Sequence, residues 1–207
     1  MFQLYSPNML KTYSLCPKKF YLRYIKNISM PVNDEIFEMG KNIHALASYY
    51  LRKENIHKLE EALSEREKDI WLYLKSLKYF SYEVINTEYN LSVKIGENFF
   101  GGRLDALLKQ NDTYYILDYK TGAVPKNVKF DFQTMIYMMA VKVFYNTNNV
   151  KFVYLDLKNR EDFVVELTPE LVAEYEIKLK DTALKIKTDE FLKKTNCSNC
   201  EYKIICY

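Results

Sequence analysis

No apolar run in this sequence is long enough to cross a bilayer. The opening, "MFQLYSPNMLK", also lacks the long apolar region of a secretory leader. These two absences predict a soluble, cytoplasmic chain with no membrane partner. A charge excess is missing too: 30 basic side chains face 27 acidic ones, a formal net charge of +3. That balance neither requires nor excludes nucleic acid as a partner. Internal repeats and long low-complexity segments are absent, so neither a solenoid nor a disordered linker is expected. Cysteine is limited to four residues. In a reducing compartment these are expected to be free, catalytic or metal-bound rather than paired as disulfides.

Hydrophobic residues make up 48% of the 207, which places the chain among globular proteins. The length suits one domain with a sizeable core and an appended lobe. There are 19 Tyr and 12 Phe. They come with abundant Lys, Asn and Ile, a bias that an AT-rich genome explains as well as a stacking surface does.

Ser6-Pro7 marks a helix start, and Pro17 breaks that helix near Cys16, with a second short helix beyond. "NDEIFEMGKNIHALASYYLRKENIHKLEEAL" is helical in composition and spacing, and another helix is expected over 64–78. Residues 1–80 therefore read as a helical lobe. From Glu83 the pattern changes. "EVINTEYNLSVKIG", "FFGGRLDALLKQ" and "TYYILDYKTG" read as three strands joined by tight turns. "FDFQTMIYMMAVKVFY" is an apolar helix, and "VKFVYLDL" and "EDFVVELT" are two more strands. Thr168-Pro169-Glu170 then opens a helix to about Lys187. The order predicts an α/β core over 83–187 with a helical annex.

"YYILDYKTG" poses the functional question. A buried strand ends in Asp118 and Lys120, which point to one face because side chains repeat every second residue. The preceding strand carries Asp105 just after Gly101 and Gly102, which let a backbone bend or approach closely. Pairing the two strands brings both carboxylates within reach of one ion. Two close carboxylates repel unless neutralised. A hard divalent cation such as Mg²⁺ does this with carboxylates, water and phosphate oxygens, and the Tyr119 carbonyl can add another oxygen. Lys120 then orients water or stabilises charge on a phosphate. A strand-end Asp-x-Lys is common by itself and also fits a plain ion pair. Gln133 and Tyr137, four apart on one helix face, fit a satisfied core pair as well as a site. His44 alone fits helix packing better than metal ligation, and an imidazole suits Mn²⁺ or Fe better than Mg²⁺.

In combination, His44, "GGRLD", "LDYK" and "QTMIY" resemble the RecB-like branch of the PD-(D/E)xK nuclease superfamily. The resemblance implies a restriction-endonuclease-like mixed β-sheet core flanked by helices, with the N-terminal helical lobe, in a single nuclease domain. It implies His44, Asp105 and Asp118 as ligands of Mg²⁺ or Mn²⁺ and Lys120 as the catalytic lysine. Gln133 and Tyr137 would position the DNA backbone. Glu88, in "NTEYNL", matches an acidic residue often found before the first Asp, with a less defined role. Leu104 stands where the superfamily motif has Pro, as is usual in this branch.

The remaining motif is Cys197-x2-Cys200-x5-Cys206, with Cys16 far upstream. Four cysteines suit zinc as well as iron–sulfur, and spacing does not separate the two. The pattern resembles the [4Fe–4S] clasp of RecB-family nucleases, above all the small CRISPR-associated exonucleases. This implies a C-terminal clasp over 195–207 that reaches Cys16. Lys18, Lys19, Arg23, Lys193, Lys194 and Lys203 flank the cysteines; as a group they fit a phosphate-binding rim, individually a solvated surface. No G-x4-G-K-[ST] motif is present, and the chain is too short to include a helicase. The resemblance implies a metal-dependent DNA exonuclease that trims single-stranded DNA ends beside a CRISPR integrase complex. A free-standing RecB-like repair or phage nuclease is the nearest alternative. An inactive nucleic-acid-binding scaffold is the rival of another class, opposed by the intact Asp105, Asp118 and Lys120.

Overall fold

The computed structural model describes residues 4–31, 35–194, 197–198 and 200–206, with the side chains of 35–37 excepted. Parts of the expected helix start (33–34) and of the clasp (195, 196, 199 and 207) lie outside the described residues.

Helix α1 (Pro7–Leu15) begins where the Ser6 hydroxyl accepts from the Met9 amide at 3.3 Å. It stops at Cys16, whose backbone is extended, as a residue before proline prefers. Helix α2 (Pro17–Phe20) runs into a π-helical turn, Tyr21–Ile25. Helices α3 (Glu35–Leu51), α4 (His57–Glu61) and α5 (Glu65–Ser76) follow. The sequence predicts helix throughout 33–63, but the chain breaks after Leu51. Lys53 takes a left-handed φ of 60°. Asn55 Oδ1 then accepts from the His57 amide at 3.0 Å and starts the chain afresh. Asn side chains compete with helical backbone bonding in this way. A polar Arg-Lys-Glu-Asn run offers no buried face to resist it. At α5 the Ser64–Glu67 capping box forms in full.

The five strands are β1 (Glu83–Ile95), β2 (Asn98–Gln110), β3 (Thr113–Lys120), β4 (Val150–Asp156) and β5 (Glu161–Glu166). They form one sheet in the order β1-β2-β3-β4-β5. Every neighbouring pair is antiparallel except β3 and β4, which are parallel. Parallel neighbours need a crossover, and helix α6 (Phe132–Phe144) supplies it. Helix α7 (Pro169–Thr188) closes the regular structure. The result is a mixed sheet with helices on both faces, the restriction-endonuclease-like α/β fold.

Alternation along β3 assigns the two cores. Ile116 packs into one with residues of α1, α6 and α7, and Leu117 into the other with residues of α3 and α5. The helices of the first 80 residues are thus shared between both faces of the sheet. Asp118 and Tyr119 continue the alternation, so the end of β3 offers a different functional group to each face.

Candidate active site

Pairing of β2 with β3 sets Ala106 opposite Leu117, so Asp105 and Asp118 come next, side by side, where this ladder ends. On the other side of β2 the register passes from Thr87–Ala106 to Tyr89–Leu104. Glu88 and Asp105 fall out of the pairing, and Glu88 has a left-handed φ of 49°. Face alternation inverts here: Leu104 belongs to one core, Ala106 to the other. The register is unchanged on either side, so it is the left-handed backbone at Glu88 and the inverted alternation of β2 that bring Glu88 and Asp105 to α3.

There they meet His44. Its Nδ1 lies 3.3 Å from Asp105 Oδ1, and its Nε2 lies 2.8 Å from the Tyr119 carbonyl. The Tyr119 amide donates to Asp105 Oδ2 at 3.0 Å. Burial opposes charge on the imidazole, but Asp105, Asp118 and the Tyr119 carbonyl outweigh it and hold the pKa of His44 above its ordinary value. His44, Glu88 and Asp105 each present a ligand atom, all within 4.8 Å of one another. Glu88 also pairs with Arg103 at 2.8 Å.

On the α6 side, Asp118 is almost fully buried. Gln133 Nε2 donates to its Oδ1 at 2.6 Å. Lys120 Nζ approaches Oδ2 at 2.6 Å and donates to Gln133 Oε1 at 3.2 Å. One amide therefore bridges the carboxylate and the ammonium. The Lys120 ammonium also lies 5.5 Å from the centre of the Tyr154 ring. Burial, then the neighbouring Asp105, push the Asp118 carboxyl up to about 6, although Lys120 pulls the other way.

Tyr137 is buried, and its hydroxyl donates to the Arg103 carbonyl at 2.9 Å. It reaches that carbonyl across Gly102, where an added Cβ would sit 2.8 Å from the hydroxyl. Only glycine leaves that approach open.

A divalent cation fits this cluster on the chemistry of its donors. Two carboxylates and an imidazole converge, and a third carboxylate, Asp118, ends the neighbouring strand with its Oδ2 against the Lys120 ammonium. Hard oxygens with one imidazole suit Mg²⁺ or Mn²⁺.

Two contributors escaped the sequence reading. Asp131 caps α6, accepting from the Gln133 amide at 2.9 Å and from the Tyr154 hydroxyl at 3.2 Å, and so sets the direction of Gln133. Its signal was available: an Asp just ahead of an apolar helix is an N-cap. Arg103, which holds Glu88 and offers its carbonyl to Tyr137, had none.

All four cysteines are free and half-buried. Among the described residues the four sulfurs do not form a group within reach of a single ion, and Cys197 Sγ donates to the Lys194 carbonyl at 3.1 Å. The segments that carry them do meet. Lys194 Nζ donates to the Ser14 carbonyl at 2.6 Å, Lys19 pairs with Glu201 at 2.9 Å, and buried Tyr202 donates to the Ile28 carbonyl at 2.8 Å. Lys18 and Arg23 lie over the rings of Tyr21 and Tyr24. Four of the six cations of the expected rim therefore have partners within the chain.

The fold and the strand-end cluster define a nuclease class, and a family model agrees. Residues 5–207 match the PD-(D/E)XK nuclease superfamily, and the chain belongs to it. A curated relative, the CRISPR-associated exonuclease Cas4 of Francisella tularensis subsp. novicida (strain U112), is 20% identical over 203 residues, which span 96% of this chain and 91% of that one. The crystal structure of a provisionally assigned exonuclease from Eubacterium rectale shares the fold, with a TM-score of 0.59 at 8% identity over 95% of this chain and 85% of that one. No helix among the described residues is long and apolar enough to cross a membrane.

Proposed function

We propose that this protein is a divalent-metal-dependent DNA exonuclease. One observation carries the reading: carboxylates, imidazole and lysine interlock at the ends of β2 and β3, on the side chains that phosphodiester hydrolysis needs. His44, Asp105, Asp118 and the Tyr119 carbonyl would hold Mg²⁺ or Mn²⁺, and Glu88 joins them on its position beside Asp105. When bound, such an ion supplies a more acidic water and neutralises phosphate charge. The water oxygen bonds to phosphorus as the ester P–O bond breaks, leaving a phosphate monoester and a hydroxyl. Lys120 faces the developing negative charge with its ammonium held by Asp118 and Gln133. Gln133 positions Lys120 and Asp118. Tyr137 positions the β2 backbone under the substrate, through Arg103.

The 20% identical relative supports a role in CRISPR adaptation, in which the enzyme trims single-stranded ends for an integrase complex. A free-standing repair or phage nuclease would use the same site. We assign Cys16, Cys197, Cys200 and Cys206 to a [4Fe–4S] cluster. The support is that all four are free and that the chain segments bearing them are already cross-linked by hydrogen bonds.

End-labelled single- and double-stranded DNA with Mg²⁺ or Mn²⁺ tests the reading. Stepwise shortening that EDTA stops is the expected result. Intact DNA with every divalent ion, from folded wild type, would leave the inactive scaffold.

A further inference from the structure

The cleft around His44, Asp105 and Lys120, about 1230 Å³, does not end at the cluster. It shares Arg66, Thr121 and Gly122 with a second groove of about 610 Å³. That groove runs between the loop after β3 and the turn joining β4 to β5. Its volume lies in the range of sites that hold a small ligand, roughly 300–1,000 Å³.

The arginines distinguish this exit from the other one. Arg23 lies over Tyr24, Arg103 pairs with Glu88 and Arg160 with Asp69. Arg52, between the cleft and a groove along β1, pairs with Glu54 and donates to Ser48 and Thr87. Arg66 alone of the five has neither a carboxylate nor a ring among the described residues. It is exposed and lines both connected spaces. Lys126 and Lys158, also exposed, line the second groove with no ion-pair partner among the described residues. Of the acids there, Asp156 is occupied by the amides of Lys158 and Asn159 and by the Asn159 side chain, so Glu161 is the one opposing carboxylate. Phe163 adds a ring that is 37% exposed.

Unpaired cations spaced along a groove beside an exposed ring are how a single strand is held: phosphates on the charges, a base on the ring. Resting on the nuclease reading above, we infer that this groove is a single-strand track that carries DNA to or from the cluster. Arg66 takes the phosphate nearest the scissile one, Lys126 and Lys158 take phosphates beyond it, and Phe163 stacks a base.

Fluorescence anisotropy with a dT oligonucleotide of about 15 residues, in EDTA so that nothing is cut, reads the track directly. Arg66→Ala should weaken binding by roughly fivefold and flatten the slope of log K against log salt by about 0.7, one phosphate contact on a single strand. Arg66→Lys should keep the slope. Phe163→Ala should weaken binding by about fivefold or more with the slope unchanged, because stacking releases no counterions. The melting temperature of Arg66→Ala should equal that of wild type, since the side chain has no ion-pair or ring partner among the described residues. Wild-type affinity and slope in both Arg66→Ala and Phe163→Ala overturn the track. So does a wild type that cleaves DNA yet binds only duplex. A wild type that neither binds nor cleaves any DNA overturns the nuclease reading itself.

Discussion

The strand-end cluster and the cysteine-bearing chain ends are built on opposite plans. In the cluster, each group has a partner from another element: His44 of α3 has Asp105 and the Tyr119 backbone, Asp118 and Lys120 have Gln133 of α6, and Lys120 also pairs with Asp118 of its own strand. The protein brings these groups together unaided, at the expense of crowding charge. Among the described residues the cysteines have no such set of partners. They are free and half-buried, and the segments around them are tied by a few polar bonds such as Lys194 to Ser14. A preorganised site can stabilise charge without rearranging. Cysteine ligands bind a metal only as thiolates, so the cluster proposed for the chain ends would couple its binding to their folding.

The sharpest way to break this comparison is at the cluster. Folded Lys120→Ala should lose about 10²–10⁴ in cleavage rate, the usual worth of a positioned proton-transfer or charge-stabilising group. Asp105→Ala and Asp118→Ala should abolish cleavage while circular dichroism stays native. Undiminished cutting by Lys120→Ala would remove it from the chemistry. At the chain ends the expected loss is one of stability. Anaerobically purified protein should be brown, absorbing near ~400 nm. Cys16→Ala should bleach it and lower stability by up to roughly 5 kcal/mol, the chain-entropy worth of closing so long a loop. Colourless wild type with stoichiometric zinc would end the iron–sulfur assignment and spare the nuclease.

Gln133→Leu should reduce the rate by about 10–100-fold, as is common for residues that orient ligands rather than react. A parallel rise in the Mn²⁺ requirement would show that it acts through Asp118. Asp118→Asn measures the crowding. The folded carboxyl titrates near 6, above its ordinary 3.8. Below about pH 4 both folded and unfolded forms hold the proton, and the substitution should change nothing. As pH rises from 4 to 6 the unfolded chain ionises first and wild type loses stability. Above 6 the metal-free Asn variant should melt a few degrees higher, about 2–4 °C for each kcal/mol. An equal melting temperature at pH 8 would mean that Lys120 already neutralises Asp118. Smallest is Tyr137→Phe, which loses one hydrogen bond to Arg103, about 1 kcal/mol. Its cleavage defect should exceed its melting defect if the β2 backbone positions substrate.

The legible parts of this molecule are those with local signals. Alternation and a sharp end made β3 readable, and Thr168-Pro169 announced α7 with its cap, in which Thr168 Oγ1 accepts from the Leu171 amide. The pairing of Asp105 with Asp118 followed from a two-strand turn and a period of two. The break at Lys53 did not show, because helix-favouring Arg, Lys and Glu surround it while one Asn and a left-handed φ decide it. Glu88 was visible as an acid, but nothing local says that its backbone turns left-handed there and drops out of the pairing with β2. Arg103 and the matching of Gly102 to Tyr137 depend on contacts between residues over thirty positions apart. Such contacts exist only once the sheet and α6 have met.

The left-handed backbone at Glu88 also sets up a contest between heat and activity. An L-residue other than Asn or Asp pays for φ near 50°, whereas Gly adopts it freely. In a library randomised at position 88 and challenged only by heating, Gly and Asn should come to dominate the survivors. Selected instead for growth that depends on cutting DNA, the same library should return an acid. The divergence between those two populations would report what this position is retained for, with no substrate, metal or structure in hand.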